Sequence, residues 1–376
     1  MNQINVDIKQ ANIKYKILFS NDIFSSIKEN IKDYEKKKFL FVVDYNVYDL
    51  YKEKISYECK LLNADFLVLS SGERNKTIKT VFKIIDKLME SGFTRKDYVI
   101  SIGGGVTGDI TAFACSLFKR GINFVQVPTT LLSMCDSSVG GKTGVDYMSV
   151  KNGVGTFYNP SMVLVDINYL KTLPKRELLS GYFEGIKHAI MLGKKDYLEY
   201  VEIYDKLINK KFGKEIEKVI SKNIKCKLLV VKSDPTETIG KRRVLNYGHT
   251  FGHALETYLK FKLGHGICVG FGIIYANLLG EKLGFLKKES YKEIEKFIKS
   301  VLANIKIDSE TSSEGQCLDF EEIYRYMKND KKNENQLVNF ILLKDFGEVF
   351  EYKVDKKELK EVFEKFCDVV SGANIE

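Results

Sequence analysis

The sequence lacks the features that mark membrane, secreted and disulfide-bonded proteins. It contains no run of about 18 apolar residues, so we expect no membrane-spanning helix. Its N-terminus has no basic region followed by an apolar one, so we expect no signal peptide. Its seven cysteines form no CxxC pair, and an odd, unpatterned set is typical of reduced thiols. These absences predict a cytoplasmic protein without a membrane partner.

The charge pattern also lacks the signature of a nucleic-acid-binding protein. The chain has 59 basic and 50 acidic residues, which gives a formal charge of +9. In predicted helices such as 287–299, lysines alternate with acidic residues, and such faces are usually solvated. No basic cluster interleaved with aromatic residues is present, so we predict no nucleic-acid partner. A modest positive field favours a small anionic substrate.

The first half of the chain predicts an α/β domain over residues 1–175. Helical patterns at 81–89 and 108–119 lie between apolar runs that are typical of buried strands. Strands that alternate with helices predict a parallel sheet covered by helices. The predicted strands are 39–44, 64–69, 97–102, 123–127 and 162–166.

The second half predicts a mainly α-helical domain over residues 176–376. A strand pair at 337–343 and 348–351 interrupts the helical pattern near its end. The predicted helices are 177–192, 197–230, 248–261, 266–283, 288–303, 319–328 and 355–370.

A glycine-rich turn follows the predicted strand 97–102. The segment GGGVTGD (103–109) leads into a helix, and glycines let phosphate approach the free N–H groups of a helix start. The segment departs from the GxGxxG fingerprint, so a tight turn without a ligand is the alternative. Asp44 also has two interpretations, since it is placed either to accept from ribose hydroxyls or to cap a helix.

Three loops place charged or amide side chains beside small residues. They are SGERNK (71–76), DSSVGGKT (136–143) and KNGVG (151–155). Glycine loops let lysines converge on an anion, and lysine is a point-charge phosphate binder. A single lysine in this lysine-rich chain is more often solvated surface, but the loop context favours Lys142 and Lys151 as anion ligands.

The chain has four histidines, and two of them lie four residues apart in NYGHTFGHALE (246–256). On a helix His249 and His253 would share one face, and neutral imidazole is the commonest metal ligand. His265 follows twelve residues later. The alternative for one or two of these histidines is a core residue satisfied by hydrogen bonds, but three in so short a stretch favour a site.

Glu184 is the best candidate for a third ligand beside two of the histidines. It lies in a largely apolar segment with Lys187 at i+3, and a buried carboxylate requires a cation or a metal. Two histidines and a glutamate leave a coordination position open, which is the catalytic pattern. The alternative is a surface ion pair between Glu184 and Lys187.

Motifs of one family occur in order from about residue 40 to 350. Together they resemble the 3-dehydroquinate synthases of the sugar-phosphate cyclase superfamily, and the combination of DSSVGGKT with GHTFGHA is very specific. The matching stretches are SGERNK, GGGVTGD, RGINFVQVPTTLL, DSSVGGKTGVD, KNGVGTFYNP, LKTLPKRE, YFEGIKHAI, NYGHTFGHALE, LGHG, NDKK and NFILLKDFG.

The resemblance implies a Rossmann-like NAD-binding domain followed by a helical domain that binds metal and substrate. The implied reaction converts 3-deoxy-D-arabino-heptulosonate 7-phosphate to 3-dehydroquinate and phosphate, in the shikimate pathway to chorismate and aromatic amino acids. NAD is transiently reduced, phosphate leaves by β-elimination, and an intramolecular aldol step closes the ring. The implied cofactors are NAD and one divalent metal, zinc or cobalt. The implied assembly is a homodimer, in which Arg120 reaches the other subunit's substrate.

The resemblance also implies individual roles. Glu184, His249 and His265 would bind the metal, and His253 would be a hydrogen-bonding and proton-relay residue. Lys331 or Lys332 would lie near the substrate phosphate. The implied NAD contacts are Asp44, Glu73, Lys76, Gly104, Gly105, Val106, Asp109, Thr129, Thr130, Leu132, Lys142, Lys151, Thr172 and Leu173. The implied substrate and catalytic residues are Asp136, Lys142, Lys151, Asn152, Lys187, Lys227, Arg242, Asn246 and His253.

Three other functions fit part of this pattern. A cyclase like 2-deoxy-scyllo-inosose synthase tends to lose DSSVGGKT, which is intact here. A metal-dependent glycerol or alcohol dehydrogenase typically uses an aspartate with its histidines. A non-catalytic nucleotide-binding protein would not need Glu184 and the histidines. One departure from the family pattern is Ile267-Cys268 after His265-Gly266, where many members have Glu-Ala, and we expect a local packing change there.

Overall fold

The structure, a computed structural model, describes residues 3–8, 13–148, 150–303, 318–328 and 337–370. The chain forms two compact units, Met1–Leu173 with Lys210–Thr236 and Pro174–Asn209 with Glu237–Glu376. The assignment of residues 1–175 and 176–376 to an NAD-binding and a metal-binding domain stays a prediction. Lys331 and Lys332 lie outside the described residues, so their expected role near a phosphate stays a prediction too.

The first unit is built around a mainly parallel sheet. Seven strands, counted over the described residues, lie in the order β1-β2-β9-β6-β5-β3-β4, while β7 and β8 form a separate hairpin. The first two strands pair antiparallel, and the other neighbours in the sheet are parallel. In chain order β1 to β9 are Gln3–Ile8, Ile13–Phe19, Phe39–Asp44, Asp65–Leu69, Tyr98–Gly103, Asn123–Pro128, Val145–Tyr147, Val150–Val154 and Met162–Val165.

The predicted parallel α/β sheet is confirmed. The five predicted strands occur as β3, β4, β5, β6 and β9, each within one residue of its predicted ends. In β3 every residue from Phe39 to Val43 is buried, as expected for a strand covered on both faces. The sequence pattern missed β1 and β2, which lie at one side of the sheet.

Helices flank this sheet and make up most of the second unit. The first unit contains α1 to α4 and α8, and the second contains the other helices and a hairpin of β10 (Val338–Asp345) and β11 (Glu348–Val354). In chain order the described helices α1 to α13 are Ile23–Asn30, Tyr45–Leu61, Ile78–Glu90, Gly105–Leu117, Lys175–Leu192, Lys194–Glu202, Tyr204–Ile208, Lys214–Ser233, His249–Tyr258, His265–Lys282, Lys288–Leu302, Phe320–Lys328 and Lys356–Val370. No helix of the described ranges is both long enough and apolar enough to span a membrane.

Two helix predictions need correction. The helix predicted from residue 108 begins at Gly105, because the third glycine of the Gly103–Gly105 run is already part of the helix. The predicted helical stretch 197–230 is divided among α6, α7 and α8. Lys210 has a positive φ of 55°, a left-handed conformation that a continuous helix does not accommodate.

The strand order creates a ligand crevice of a known kind in the first unit. After β3 the chain crosses to β4 at the sheet edge, whereas after β5 it crosses in the opposite direction to β6. In parallel sheets ligands bind at the carboxyl ends of the strands where the crossover direction changes. Here those ends carry Asp44 and the glycines Gly103 to Gly105.

The second unit is organised around α10, which is buried from Gly266 to Gly280. A helix that is apolar on all sides has no solvent face and lies in a core. Its glycines set the distances to its neighbours. A Cβ at Gly266 would lie 1.8 Å from the Ser180 carbonyl oxygen of α5, and one at Gly272 would lie 1.8 Å from the Gly248 carbonyl oxygen. Side chains there would push α5 and α9 away from α10.

We expect Gly266→Ala to destabilise the protein by about 2 kcal/mol, in the range of overpacked cores, because the added methyl overlaps a backbone oxygen. Chemical denaturation of the metal-free protein measures this change. Gly280→Ala is the matched control on the same helix, since its Cβ would meet Leu286 Cβ at 3.3 Å, which a shift of a few tenths of an ångström relieves. Equal stability of the two variants would contradict the packing argument.

Candidate functional site

A charged pair lies inside the second unit on α5. Glu184 and Lys187 each expose 2% of their side chains, and Lys187 Nζ donates to Glu184 Oε2 at 2.7 Å. Every residue of α5 from Leu178 to Ile190 is buried. The prediction that these two charges are buried is therefore confirmed, and the surface ion pair is excluded.

The second carboxylate oxygen of Glu184 faces two imidazoles. Glu184 Oε1 lies 3.3 Å from His249 Nε2 and 3.6 Å from His265 Nε2. It is buried and accepts no hydrogen bond from any described residue. Ligand atoms about 2.1 Å from a tetrahedrally bound zinc lie about 3.4 Å from one another. Both distances from Glu184 Oε1 therefore match the spacing of two ligands on one divalent cation.

The outer nitrogen of each imidazole is hydrogen-bonded. His249 Nδ1 lies 3.2 Å from the Tyr247 carbonyl oxygen, and His265 Nδ1 lies 3.2 Å from Glu256 Oε2. If each Nδ1–H donates to these acceptors, both Nε2 lone pairs point toward Glu184. Hydrogen bonds of this kind usually fix the tautomer and orientation of histidine metal ligands.

The charges within this cluster are strongly coupled. Burial opposes ionisation of Glu184, but the Lys187 ammonium and the imidazoles hold its pKa well below the ordinary value. Burial and Lys187 lower the pKa of His249 well below its ordinary value. Burial also opposes the charge on His265, but Glu184 and Glu256 outweigh it and raise the pKa of that imidazole to about 9. The two carboxylates thus favour positive charge at His265, whose Nε2 faces Glu184 Oε1.

His253 lies one helical turn after His249 on α9 and is exposed. Its ring centroid is 5.1 Å from that of His249 and 5.3 Å from that of His265. Ligand nitrogens of the three rings lie within 4.8 Å of one another. The spacing argument correctly put His249 and His253 on one helical face. The contacts of Glu184 are with His249 and His265, as the family pattern implies, and the assignment of ligands stays a prediction.

The glycine turn of the first unit opens α4. Gly104 is the N-terminal cap of this 13-residue helix, so no side chain of the cap residue bonds the first backbone N–H groups. Asp44 caps α2 by accepting from Asn46 N at 2.9 Å, and it also accepts from Ser71 Oγ. Its interpretation as a helix cap is confirmed, and its contact with a ribose stays a prediction.

A buried lysine joins three of the predicted loops in the first unit. Lys76 Nζ donates to Asp109 Oδ2 of α4 at 2.7 Å and to Asn152 Oδ1 of β8 at 2.6 Å. Its carbonyl oxygen accepts from Asp146 N of β7. Burial opposes its charge, but Asp109 and Glu73 outweigh this effect and raise the pKa of Lys76. The ammonium thus fastens the β7–β8 hairpin to the start of α4.

The other predicted residues fall into two groups. In the first unit, Lys227 of α8 pairs with Asp136 at 2.9 Å, and Lys151 lies 3.7 Å from Glu73. In the second unit, Arg242 and Asn246 lie on a 3₁₀ turn before α9. Gly105 and Val106 follow β5 at the start of α4, and Thr129, Thr130 and Leu132 follow β6. Lys142 forms an isolated bridge with Phe157, Thr172 and Leu173 follow the 3₁₀ turn after β9, and Arg120 follows α4 with a φ of 64°.

Sequence reasoning missed one residue of the cluster, Glu256. It is buried and contacts His265. A signal was present, because His249, His253 and Glu256 are spaced i, i+4, i+7, which puts them on one helical face. Helical spacing alone did not predict the contact, because the partner of Glu256, His265, belongs to the next helix.

Comparison with known proteins gives the family. A family model described as 3-dehydroquinate synthase N-terminal matches residues 66–180, and one described as 3-dehydroquinate synthase C-terminal matches residues 181–333. The chain is 37% identical to a 3-dehydroquinate synthase of Ruminiclostridium cellulolyticum, covering 92% of this chain and 94% of that protein. It is 38% identical to one of Endomicrobium trichonymphae, covering 97% and 99%.

Solved structures share the fold. A 2-deoxy-scyllo-inosose synthase complexed with carbaglucose-6-phosphate, NAD+ and Co2+ is 25% identical, with a TM-score of 0.81 over 97% of this chain and 99% of that one. An iron-containing alcohol dehydrogenase is 15% identical, with a TM-score of 0.63 over 96% and 98%. The two family models together match residues 66–333, the two sequence relatives cover 92% and 97% of this chain, and the protein belongs to the 3-dehydroquinate synthase family.

Proposed function

We propose that this protein is a carbon-oxygen lyase that converts 3-deoxy-D-arabino-heptulosonate 7-phosphate to 3-dehydroquinate and phosphate. The observation that carries the proposal is the convergence of Glu184, His249 and His265 in a chain 37–38% identical to 3-dehydroquinate synthases. NAD and one divalent cation, zinc or cobalt, would be its cofactors. We place the enzyme in the cytoplasm as a homodimer, with Arg120 reaching the other subunit's substrate.

Glu184, His249 and His265 would hold the cation. When bound, it supplies Lewis acidity at the substrate hydroxyl that is oxidised. Lys187 keeps Glu184 ionised and fixes its Oε2, which leaves Oε1 for the cation. Because two imidazoles and one carboxylate do not fill a coordination shell, positions remain for substrate oxygens. His253, exposed beside the cluster, would carry protons to and from those oxygens.

The first unit would hold NAD along the carboxyl ends of its strands. When bound, NAD would supply a hydride acceptor that is regenerated within each turnover. The backbone N–H groups at the start of α4, which no cap side chain bonds, suit a pyrophosphate, and Gly104 and Gly105 place no side chain there. Asp44 would accept from a ribose hydroxyl, since its carboxylate ends β3 at the point where the crossover direction changes.

Cations of this chain would bind the carboxylate and phosphate of the substrate. Charged groups aimed at both ends of a substrate orient it as well as bind it. Three of these cations already have acidic partners, since Lys187 contacts Glu184, Lys227 contacts Asp136, and Lys151 lies 3.7 Å from Glu73. These three would act partly by fixing acidic groups. The proposed substrate-binding set is Asp136, Lys142, Lys151, Asn152, Lys187, Lys227, Arg242 and Asn246.

The second candidate is a cyclase like 2-deoxy-scyllo-inosose synthase. One such enzyme has the same fold at a TM-score of 0.81, but its identity of 25% is below the 37–38% of the 3-dehydroquinate synthases. The intact DSSVGGKT motif also favours the synthase. A glycerol or alcohol dehydrogenase would accumulate NADH, whereas the proposed enzyme regenerates NAD+ in every turnover.

We expect Glu184→Gln to lower turnover by more than about a hundredfold, since even residues that only orient metal ligands are worth ten- to a hundredfold. The measurement is phosphate release from the heptulosonate 7-phosphate with catalytic NAD+, with and without a chelator. Glu177→Gln is the matched control, because Glu177 is an exposed glutamate of the same helix. Full activity of Glu184→Gln with metal bound at the native stoichiometry would contradict the assignment of Glu184 as a metal ligand.

We expect Lys76→Met to destabilise the protein by about 3 kcal/mol, because it leaves Asp109 as a partly buried charge without its cation. The double variant with Asp109→Asn should recover part of this loss. A double-mutant cycle by chemical denaturation measures the coupling. Lys79→Met, at an exposed position of α3, is the control. Strict additivity of the two substitutions would show that Lys76 does not act through Asp109.

A further inference from the structure

Glu256 has a place in the metal cluster that no ligand role explains. It lies two turns after His249 on α9, is 5% exposed, and points its Oε2 at the outer nitrogen of His265 from 3.2 Å. The other nitrogen of that ring, Nε2, is the one that faces Glu184 Oε1. Burial of a carboxylate is costly unless a partner compensates the charge, and the described partner of its oxygen is an imidazole.

A hydrogen bond at Nδ1 decides what Nε2 can do. When a carboxylate accepts from Nδ1–H, the neutral ring keeps its lone pair on Nε2, and the ring plane is fixed. His265 Nε2 then faces Glu184 Oε1, 3.6 Å away. The opposite tautomer would put a hydrogen at Nε2 and prevent coordination there.

The two imidazoles differ in this outer contact. His249 donates to the uncharged carbonyl of Tyr247, which belongs to its own chain segment, and its side chain is 12% exposed. His265 is 30% exposed and stands at the first position of α10, where less of its surface is packed. A side-chain acceptor on a neighbouring helix is therefore the contact that holds the more exposed ring in place.

We infer that Glu256 is a positioning residue, which holds His265 in the metal-binding tautomer and orientation and strengthens the site for a divalent cation. The inference rests on the metal site of the proposed function and deepens it. Glu256 acts through His265 and touches neither the cation nor the substrate. The negative charge of Glu256 also makes the His265 imidazole a stronger electron-pair donor to the cation.

A purely structural glutamate would behave differently from a positioning one. Loss of a packing contact lowers the stability of the metal-free and the metal-loaded protein alike. Loss of the orienting acceptor weakens metal binding, leaves the metal-free fold intact, and has no further effect once His265 itself is gone. Metal affinity and the coupling between Glu256 and His265 therefore separate the two roles.

The test is cobalt and zinc affinity of the full-length protein, measured by chelator competition and by the visible absorption of bound cobalt. Glu256→Gln, which keeps the shape and removes the charge, should raise the dissociation constant by about ten- to a hundredfold. Glu293→Gln, at a glutamate paired with Lys194 on the surface of the same unit, should leave it unchanged. In a His265→Ala background, Glu256→Gln should cause no further loss.

Each result has a definite meaning. An unchanged dissociation constant in folded Glu256→Gln, or a full additional loss in the His265→Ala background, overturns the inference while the proposed metal site stands. If the native protein binds no cobalt or zinc, the proposed site fails and the inference fails with it. If Glu256→Gln does not fold, nitrogen NMR of the zinc-loaded native protein decides, because metal on Nε2 and hydrogen on Nδ1 of His265 support the inference and the reverse arrangement overturns it.

Discussion

The buried carboxylate of Glu184 is the constraint on which the second unit depends. A charge inside helix packing is stable only where cations and hydrogen bonds surround it. Lys187 takes one oxygen, and two imidazoles face the other. The histidines need acceptors of their own, which Tyr247 and Glu256 supply. Each polar group thus requires the next, and the chain of contacts ends at a place where one divalent cation fits.

Close helix packing makes this arrangement possible. Ser180, one turn before Glu184 on α5, meets α10 at Gly266, where a side chain would overlap its carbonyl oxygen. Gly272 gives the same close approach to the start of α9. The glutamate and the two histidines come from three different helices. Glycine therefore serves the site without contributing a ligand atom, by letting helix backbones lie closer than any side chain would permit.

The sequence predicted the features that depend on neighbours along the chain. A continuous apolar run marked β3, because a strand covered on both faces has no polar side, and largely apolar runs marked β5 and β6. The apolar setting of Glu184 predicted its burial, and the four-residue spacing placed His249 and His253 on one helical face. The sequence did not predict the contacts of Glu256 with His265 and of Lys76 with Asn152. It also did not predict that α8 belongs to the first unit. The family resemblance, rather than spacing, selected His265 over His253, since helical periodicity carries no information about which other helix lies opposite.

The first unit is discontinuous in sequence, and this affects how the protein is made. Its sheet ends with β9 at Val165, but its last helix, α8, comes only after α5, α6 and α7 of the other unit. During synthesis, domains fold as units as the chain emerges. The first unit is complete only after residue 236 has left the ribosome. By then Glu184 and Lys187 have emerged, whereas His249 and His265 have not. For that interval Lys187, at i+3 on the same helix, is a compensating charge that the emerged chain already supplies to Glu184.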